Sequence, residues 1–359
     1  MMDGFRNIEI KNFRGIDHLR IDDLGRVNIL VGQNSSGKSS VLEAVNLSLN
    51  MSNPDMPQVI NNIRARKSFS TFLDAKYLFH NLDMSIPPDL TLEQTDGTVR
   101  HLTLGLTYVF DELAEPKNEP IQQAGSIVYV NTLEINFSTT THGERQDYKS
   151  WLRINPAGIV VNRKIADNYL ERLKGRVISA DLTSDNTVWD LAELFKRNQK
   201  STIVSLLKLF DARINSIEIL NDDVYIGFEG MAEMLPSRMT GDGLRRYLSI
   251  AASAANPMTH IILLDEIDNG LHYSAYKKLW EALFALAVET NKQVFVTTHS
   301  KETLQKLSQM LEEYPEYRNE MRLYTIENTL KKGYQAYKYT YEGLSGACEN
   351  DIELRSIAL

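Results

Sequence analysis

The sequence has a single cysteine, Cys348, in 359 residues. An intrachain disulfide is therefore impossible, and a metal site built on several thiolates is excluded. A reducing, cytoplasmic setting is expected. No apolar run approaches the ~18 residues that a membrane-spanning helix needs. The opening "MMDGFRNIEIKNF" carries charges throughout and lacks the apolar stretch of a signal peptide. Positive charge is not in excess: 39 Lys and Arg stand against 47 Asp and Glu, a net charge of -8. That balance argues against broad electrostatic binding to nucleic acid or an anionic membrane, and leaves room for a local basic patch. There is no internal repeat, no low-complexity tract and no heptad run long enough for a coiled-coil arm.

What is present is ordinary for a globular protein: 43% hydrophobic and 24% charged residues. The length suffices for two or three packed subdomains. Alternation at Phe5, Ile8, Ile10 and Phe13 predicts a strand, with Leu19 and Ile21 on its hairpin partner. "VNILVG" reads as a buried strand running through a glycine loop into a helix. A basic, helix-like piece precedes Arg66, and a hairpin turning at Asp96-Gly97 follows. Further strands are expected within "SIVYVNTLEINF", "WLRINPAGIVV" and "RVISAD". Residues 188–210 predict one amphipathic helix or a pair, and residues 216–229 a hairpin turning at Asn221-Asp222-Asp223. The last third alternates again: helix 243–255, strand 260–264, helix 274–289, strand 293–298, helix 301–313, then strands near 321–326 and 335–341. The fold class is thus α/β, a mixed and mostly parallel sheet flanked by helices with an antiparallel β subdomain. The expected division is a nucleotide-binding part at 1–50, a β-rich and helical insertion at 51–230, and a second nucleotide-binding part at 231–359.

Three stretches carry chemistry. "GQNSSGKS", Gly32 to Ser39, fits G-x-x-x-x-G-K-[ST] completely and sits between a buried strand and a helix. Such a loop turns backbone N–H groups onto phosphate oxygens at a helix N-terminus. Gly32, Asn34, Ser35, Ser36, Gly37, Lys38, Ser39 and Ser40 are the candidate phosphate-binding residues. Lys38 would reach the β- and γ-phosphates of ATP, and the Ser39 hydroxyl would ligate Mg²⁺. "HIILLDEIDNG" ends an apolar strand on two acids. Asp265 sits where α/β sheets place ligands and would hold Mg²⁺ through water. Glu266 would be the general base or water orienter. The other reading of the two acids is a capping pair for a following helix. "QVFVTTHS" ends a second buried strand on His299, which either reaches the γ-phosphate and attacking water or caps helix 301–313.

Together these pieces resemble ATPases of the ATP-binding-cassette type, within them the soluble RecF/SMC/OLD branch. The likeness runs through "IEIKNFRGI" and "VNILVGQNSSGKSSVLEAV", and resumes at "TGDGLRRYLSI", "IILLDEIDNGLHYS" and "QVFVTTHSKETL", roughly 1–50 and 235–310. The resemblance implies a P-loop fold of that type. It places Phe13 and Arg14 near adenine and ribose, and Asn269 to His272 in a loop touching a second protomer. "TGDGLRR" takes the place of the family's signature, so Thr240, Gly241 and Gly243 would cap the γ-phosphate bound to a partner subunit. A head-to-tail, ATP-dependent homodimer follows. Asp242 departs from the usual glycine: a carboxylate beside a triphosphate is repulsive. Either Asp242 pairs with Arg245 or Arg246, or one of those arginines stabilises the phosphate. The glutamine that links Mg²⁺ to the movable lobe in this family has no fixed counterpart, Gln122 and Gln123 lying in a loop.

No run is long enough for an SMC-like coiled-coil tether, and the stretch after His299 is not expected to hold a TOPRIM nuclease domain like that of OLD nucleases. The expectation is a stand-alone switch ATPase that controls a separate effector, a nuclease or toxin, in bacterial anti-phage defence. The alternative is a RecF-like DNA-repair ATPase, with "RARK" (Arg64 to Lys67) and Arg172, Lys174 and Arg176 as phosphate contacts. No membrane partner is expected.

Overall fold

The computed structural model describes residues 2–65, 72–111, 128–155, 160–178, 186–329 and 331–356. Lys67, Gln122 and Gln123 lie outside them. An antiparallel hairpin, β1 (Phe5–Phe13) and β2 (Ile16–Ile21), opens the chain, and β3 (Val27–Val31) leads into α1 (Lys38–Ser48). α2 (Met56–Ala65) and 3₁₀ turns at Phe72–Leu78 and His80–Leu82 follow. β4 (Asp89–Gln94), β5 (Val99–Asp111), β6 (Val128–Thr141), β7 (Glu144–Ile154) and β8 (Val160–Lys164) form a meander, and β9 (Gly175–Ile178) stands apart from it. Next come α3 (Asn186–Lys196), α4 (Lys200–Phe210), and a small sheet of β10 (Ile214–Leu220), β11 (Asp223–Phe228) and β12 (Leu235–Pro236). The remainder is α5 (Asp242–Ala255), β13 (Ile261–Leu264), α6 (Tyr276–Glu289), β14 (Gln293–Thr297), α7 (Lys301–Glu313), β15 (Met321–Thr329), β16 (Gly333–Tyr339) and α8 (Tyr341–Glu349).

Two large sheets organise these elements. The six-stranded one has the order β16-β15-β3-β14-β13-β9, with β15, β3, β14, β13 and β9 parallel and β16 antiparallel at the edge. β3, β13 and β14 are buried at every residue, which is why each reads as an unbroken apolar run. Their side chains still alternate between two cores. Val27, Ile29, Val31, Ile262, Leu264, Val294 and Val296 join the core built with α3 to α7. Leu30, Ile261, Leu263 and Phe295 join a second core with α1 and the other sheet.

That other sheet has seven antiparallel strands in the order β2-β1-β4-β5-β6-β7-β8. Strands from 51–230 therefore enter both large sheets: β4 pairs with β1, and β9 pairs with β13. Helix α1, buried along most of its length, fills the space between the sheets. Gln293 ties them at one end. Its side-chain amide donates to the Phe5 and Gly25 carbonyls at 2.7 and 2.9 Å, and its oxygen accepts from Phe5 N–H at 2.8 Å. Among the described residues no helix is long and apolar enough to cross a membrane.

Candidate nucleotide site

β3, β14 and β13 lie side by side and parallel, so their C-terminal ends deliver the three chemical stretches to one edge of the sheet. The glycine loop closes tightly there. Gly32 has φ +154, and a Cβ would fall 2.4 Å from Ser36 Oγ and 2.5 Å from the Ile326 carbonyl. Only glycine allows that turn. Gly37 adopts a left-handed conformation as the N-cap of α1. Gly15, residues Ser35 to Ser40, Arg64 and Tyr334 line a cavity of about 310 Å³. Asn34 is exposed and lies outside that lining. Ser36 Oγ is buried in the loop without a hydrogen-bond partner among the described residues, a donor suited to a phosphate oxygen.

Lys38 Nζ donates to the Gly32 and Gln33 carbonyls at 2.9 and 2.8 Å. Burial pushes its ammonium below the usual lysine range, against the pull of Asp265, Glu266 and Asp268. Ser39 Oγ donates to Asp265 Oδ1 at 3.2 Å, joining residues 226 positions apart. Two hard oxygens converge there, and no cluster of three or more His, Cys, Asp or Glu occurs among the described residues. The pair fits Mg²⁺, which binds through one or two protein oxygens and completes its shell with water and phosphate.

Thr297 and Arg246 hold the two acids. Thr297 Oγ1 donates to Asp265 Oδ1 at 2.6 Å and accepts from Glu266 N–H at 2.8 Å. Arg246, fully buried, donates to the Asp265 and Glu266 carbonyls at 2.6 and 2.8 Å. Glu266 sits at φ +49, a left-handed conformation that costs a non-glycine residue about 1–3 kcal/mol and persists only when its surroundings impose it. Thr297 does not stand out as a site residue from motif spacing, and Arg246, expected to pair with Asp242 or to stabilise the phosphate, instead holds the backbone of the acids. Helical period does place Arg246 on the buried stripe of α5, four residues before Ile250 and seven before Ser253, both buried.

Other expected residues are placed as follows. His299 is exposed two residues past Thr297, and its carbonyl accepts from Arg355 Nη1 at 2.9 Å. Ser300, not His299, caps α7, its Oγ accepting from Thr303 N–H at 3.1 Å. Phe13 is fully buried in the second core, facing neither cavity nor solvent. Arg14, at φ +58, donates to Glu43 at 2.8 Å and to the Tyr77 carbonyl at 3.1 Å. Arg64 also donates to Glu43, at 3.1 Å. Burial pushes Glu43 above the ordinary carboxylate range despite both guanidinium groups. Thr240 and Gly241 precede α5, and Gly243 lies in its first turn, where a Cβ would meet Phe210 at 3.3 Å and Leu271 at 3.8 Å. The signature-like turn therefore packs beside the 269–272 loop. Asp242 is ion-paired with Arg245, one turn on.

The profile of a family described as "AAA domain, putative AbiEii toxin, Type IV TA system" matches residues 27–304. The chain belongs to that family. It is a P-loop ATPase. The matched region of this AAA-domain ATPase runs from β3 into α7 and so contains the phosphate loop, the signature-like turn, both acids and His299. An "ATP/GTP phosphatase" from Helicobacter pylori (strain ATCC 700392 / 26695) is 25% identical over 348 residues, 90% of this chain and 92% of that protein. The "DNA double-strand break repair Rad50 ATPase" of Sulfurisphaera tokodaii (strain DSM 16993 / JCM 10545 / NBRC 100140 / 7) is 28% identical over 122 residues, 32% of this chain and 14% of that protein. The SMC head domain from Thermotoga maritima aligns over 95% of this chain and 99% of its own, at 14% identity and a TM-score of 0.43.

Proposed function

We propose that this ATPase hydrolyses ATP to ADP and phosphate in composite sites between two head-to-tail copies, and that the dimer is a switch acting on a separate effector protein. The observation that carries the reaction is the chain Ser39–Asp265–Thr297–Glu266, which joins the phosphate loop to both acids by hydrogen bonds of 3.2, 2.6 and 2.8 Å. The P-loop amides, Ser35, Ser36 and Ser40 cradle the phosphates, and Lys38 exchanges its carbonyl partners for their β- and γ-oxygens. Ser39 and Asp265 would hold Mg²⁺, which neutralises phosphate charge when bound. Glu266 orients the attacking water and takes its proton. His299, at the neighbouring strand end, is assigned to the γ-phosphate and that water.

Three observations support the composite site. Asp242 is neutralised by Arg245, which removes the objection to a carboxylate in the signature turn. The N-terminus of α5 offers the N–H groups of Gly241 and Gly243 to a phosphate, whereas the N–H and hydroxyl of Thr240 both donate to the Ser237 carbonyl, at 3.1 and 2.6 Å. Met239 and Tyr273, flanking that turn and the adjoining loop, are 72% and 60% exposed, large apolar surfaces of the kind interfaces cover. The effector reading is supported by the toxin–antitoxin description of the family, and anti-phage defence is its proposed setting. DNA binding is not favoured, because Arg64 faces the nucleotide cavity and Arg176 is paired with buried Asp190.

One experiment tests the reading: co-expression of the Glu266→Gln variant and the wild type with their genetic neighbours. The variant is expected to bind ATP, double in mass and retain a partner protein, with turnover reduced at least ~100-fold. Turnover equal to wild type would sink the catalytic assignment. A mass unaffected by ATP would sink the dimer, and the absence of any ATP-sensitive partner would sink the switch.

A further inference from the structure

The stretch after α8, residues 350–356, lies beyond the region that the family profile matches, yet it returns to the candidate site. Several contacts dock it. Leu354 is buried in the first core, and buried Thr325 donates its hydroxyl to the Leu354 carbonyl. Ile352 N–H donates to the Ala347 carbonyl at 2.8 Å. Lys301, the first residue of α7, is ion-paired with Asp351. Docked in this way, the stretch brings Arg355 to the end of β14, where its Nη1 donates to the His299 carbonyl at 2.9 Å.

Arg355 is itself braced. Its Nε and Nη2 donate to the two oxygens of Glu353 at 2.7 and 2.5 Å, and its backbone N–H donates to the same carboxylate at 2.9 Å. That forked pair fixes the guanidinium plane and leaves Nη1 for the carbonyl. On the other side of the same peptide unit, Ser300 N–H donates to Thr298 Oγ1 at 3.1 Å, and Thr298 Oγ1 donates on to Asp268 Oδ1 at 2.6 Å. Both polar groups of the peptide joining His299 to Ser300 are thus tied, the N–H to the acid-bearing loop through Thr298 and the C=O to Arg355. A planar unit held at both ends fixes the ψ of His299, and side-chain rotamers follow the backbone dihedrals. His299 is exposed, so packing contributes little to the aim of its ring and the backbone has to set it.

We propose that Arg355 is a positioning residue for His299: braced by Glu353, it locks the peptide that follows His299 and so aims the imidazole at the γ-phosphate and the attacking water. Arg355 itself is assigned no bond to nucleotide or water. The inference rests on the reading above in which His299 serves those two groups. It gives the stretch after α8 a part in turnover that no motif in it signals.

The test is steady-state ATP hydrolysis by the full chain carrying His299→Ala, Arg355→Ala, both together, Arg355→Lys or Asp351→Asn. His299→Ala is expected to lower kcat at least ~100-fold. Arg355→Ala should lower kcat about tenfold with the Michaelis constant for ATP unchanged, and Arg355→Lys, which keeps a charged donor, should recover part of that loss. In the His299→Ala background the loss of Arg355 should cost less than about twofold more, because a residue that acts through another has nothing left to act on. Asp351→Asn loosens the same stretch at its other tie and should leave kcat within about twofold of wild type. Wild-type kcat in Arg355→Ala, a further loss of about tenfold in the double variant, or an equal loss in Asp351→Asn would overturn the positioning role and leave His299 in place. Wild-type kcat in His299→Ala would overturn the reading of His299, and that of Arg355 with it.

Discussion

Thr297 is the side chain on which both acids depend. Its hydroxyl uses one donor and one acceptor, to Asp265 Oδ1 at 2.6 Å and from Glu266 N–H at 2.8 Å. Thr297→Val keeps the shape, removes both bonds and leaves the Glu266 amide unpaired. Turnover is expected to fall at least tenfold with the Michaelis constant for ATP little changed, since the phosphate loop is untouched, and Thr297→Ser should restore most of it. Steady-state kinetics check this, and a Val variant with wild-type turnover would exclude Thr297 from the site. At this scale the sequence was legible where function is local. The glycine loop and the strand-end acids are contiguous motifs. Asp242 with two arginines was legible only as a choice. The fold resolves it by giving Arg245 to Asp242 and burying Arg246 behind the acids. A buried arginine and a surface one look alike in a sequence, and Tyr334 lines the phosphate cavity only because a distant strand brings it there.

Among the elements, periodicity and turn chemistry located most strands and helices. The β4–β5 turn has Gly97 at φ +85, and the β10–β11 turn has Asn221 and Asp222 at φ +51 and +60, the left-handed pair a tight hairpin needs. The 188–210 stretch is two helices, separated near Asn198 at φ +57. Pairing partners were not legible, because nothing local marks β4 as the neighbour of β1 or β9 as that of β13. α8 also carried no motif. The segment after α8 is held by charge. Glu353 accepts from Arg355 at 2.7 and 2.5 Å, and Arg355 donates on to the His299 carbonyl at 2.9 Å. The Arg355 guanidinium holds the Glu353 carboxyl down to about 2. A lowered carboxylate stabilises the fold above its unfolded value near 4.5 and loses that contribution as pH falls through the folded one. Wild type should therefore melt slightly above Glu353→Gln at about pH 6, and the gap should narrow below about pH 4.5 and close below about pH 2. A gap that widens in acid would contradict the pairing.

The molecule as a whole is layered: helices α3 to α7, the parallel sheet, then α1 and the antiparallel sheet. That layering leaves the N-terminus of α5 at the surface, where Gly241 has open space around it and an ordinary φ of -65. Gly241→Asp should fold as well as wild type, because aspartate is a good helix cap. It should nevertheless abolish ATP-dependent doubling of mass in the Glu266→Gln background, since the new carboxylate would face the triphosphate of the partner. Light scattering with a melting curve separates the two effects, and an undisturbed dimer would argue against the composite site.

Arg246 gives that arrangement a direction. Its helix begins at the turn assigned to the nucleotide of the partner, and the arginine itself grips the backbone of the acids that serve its own nucleotide. In the proposed dimer one helix would thus touch both triphosphates of the pair. Any free energy by which occupancy of one pocket steadies Glu266 in the other must, by linkage, act equally in return. In the proposed closed pair such a lever would make the two active sites keep time with each other rather than fire independently.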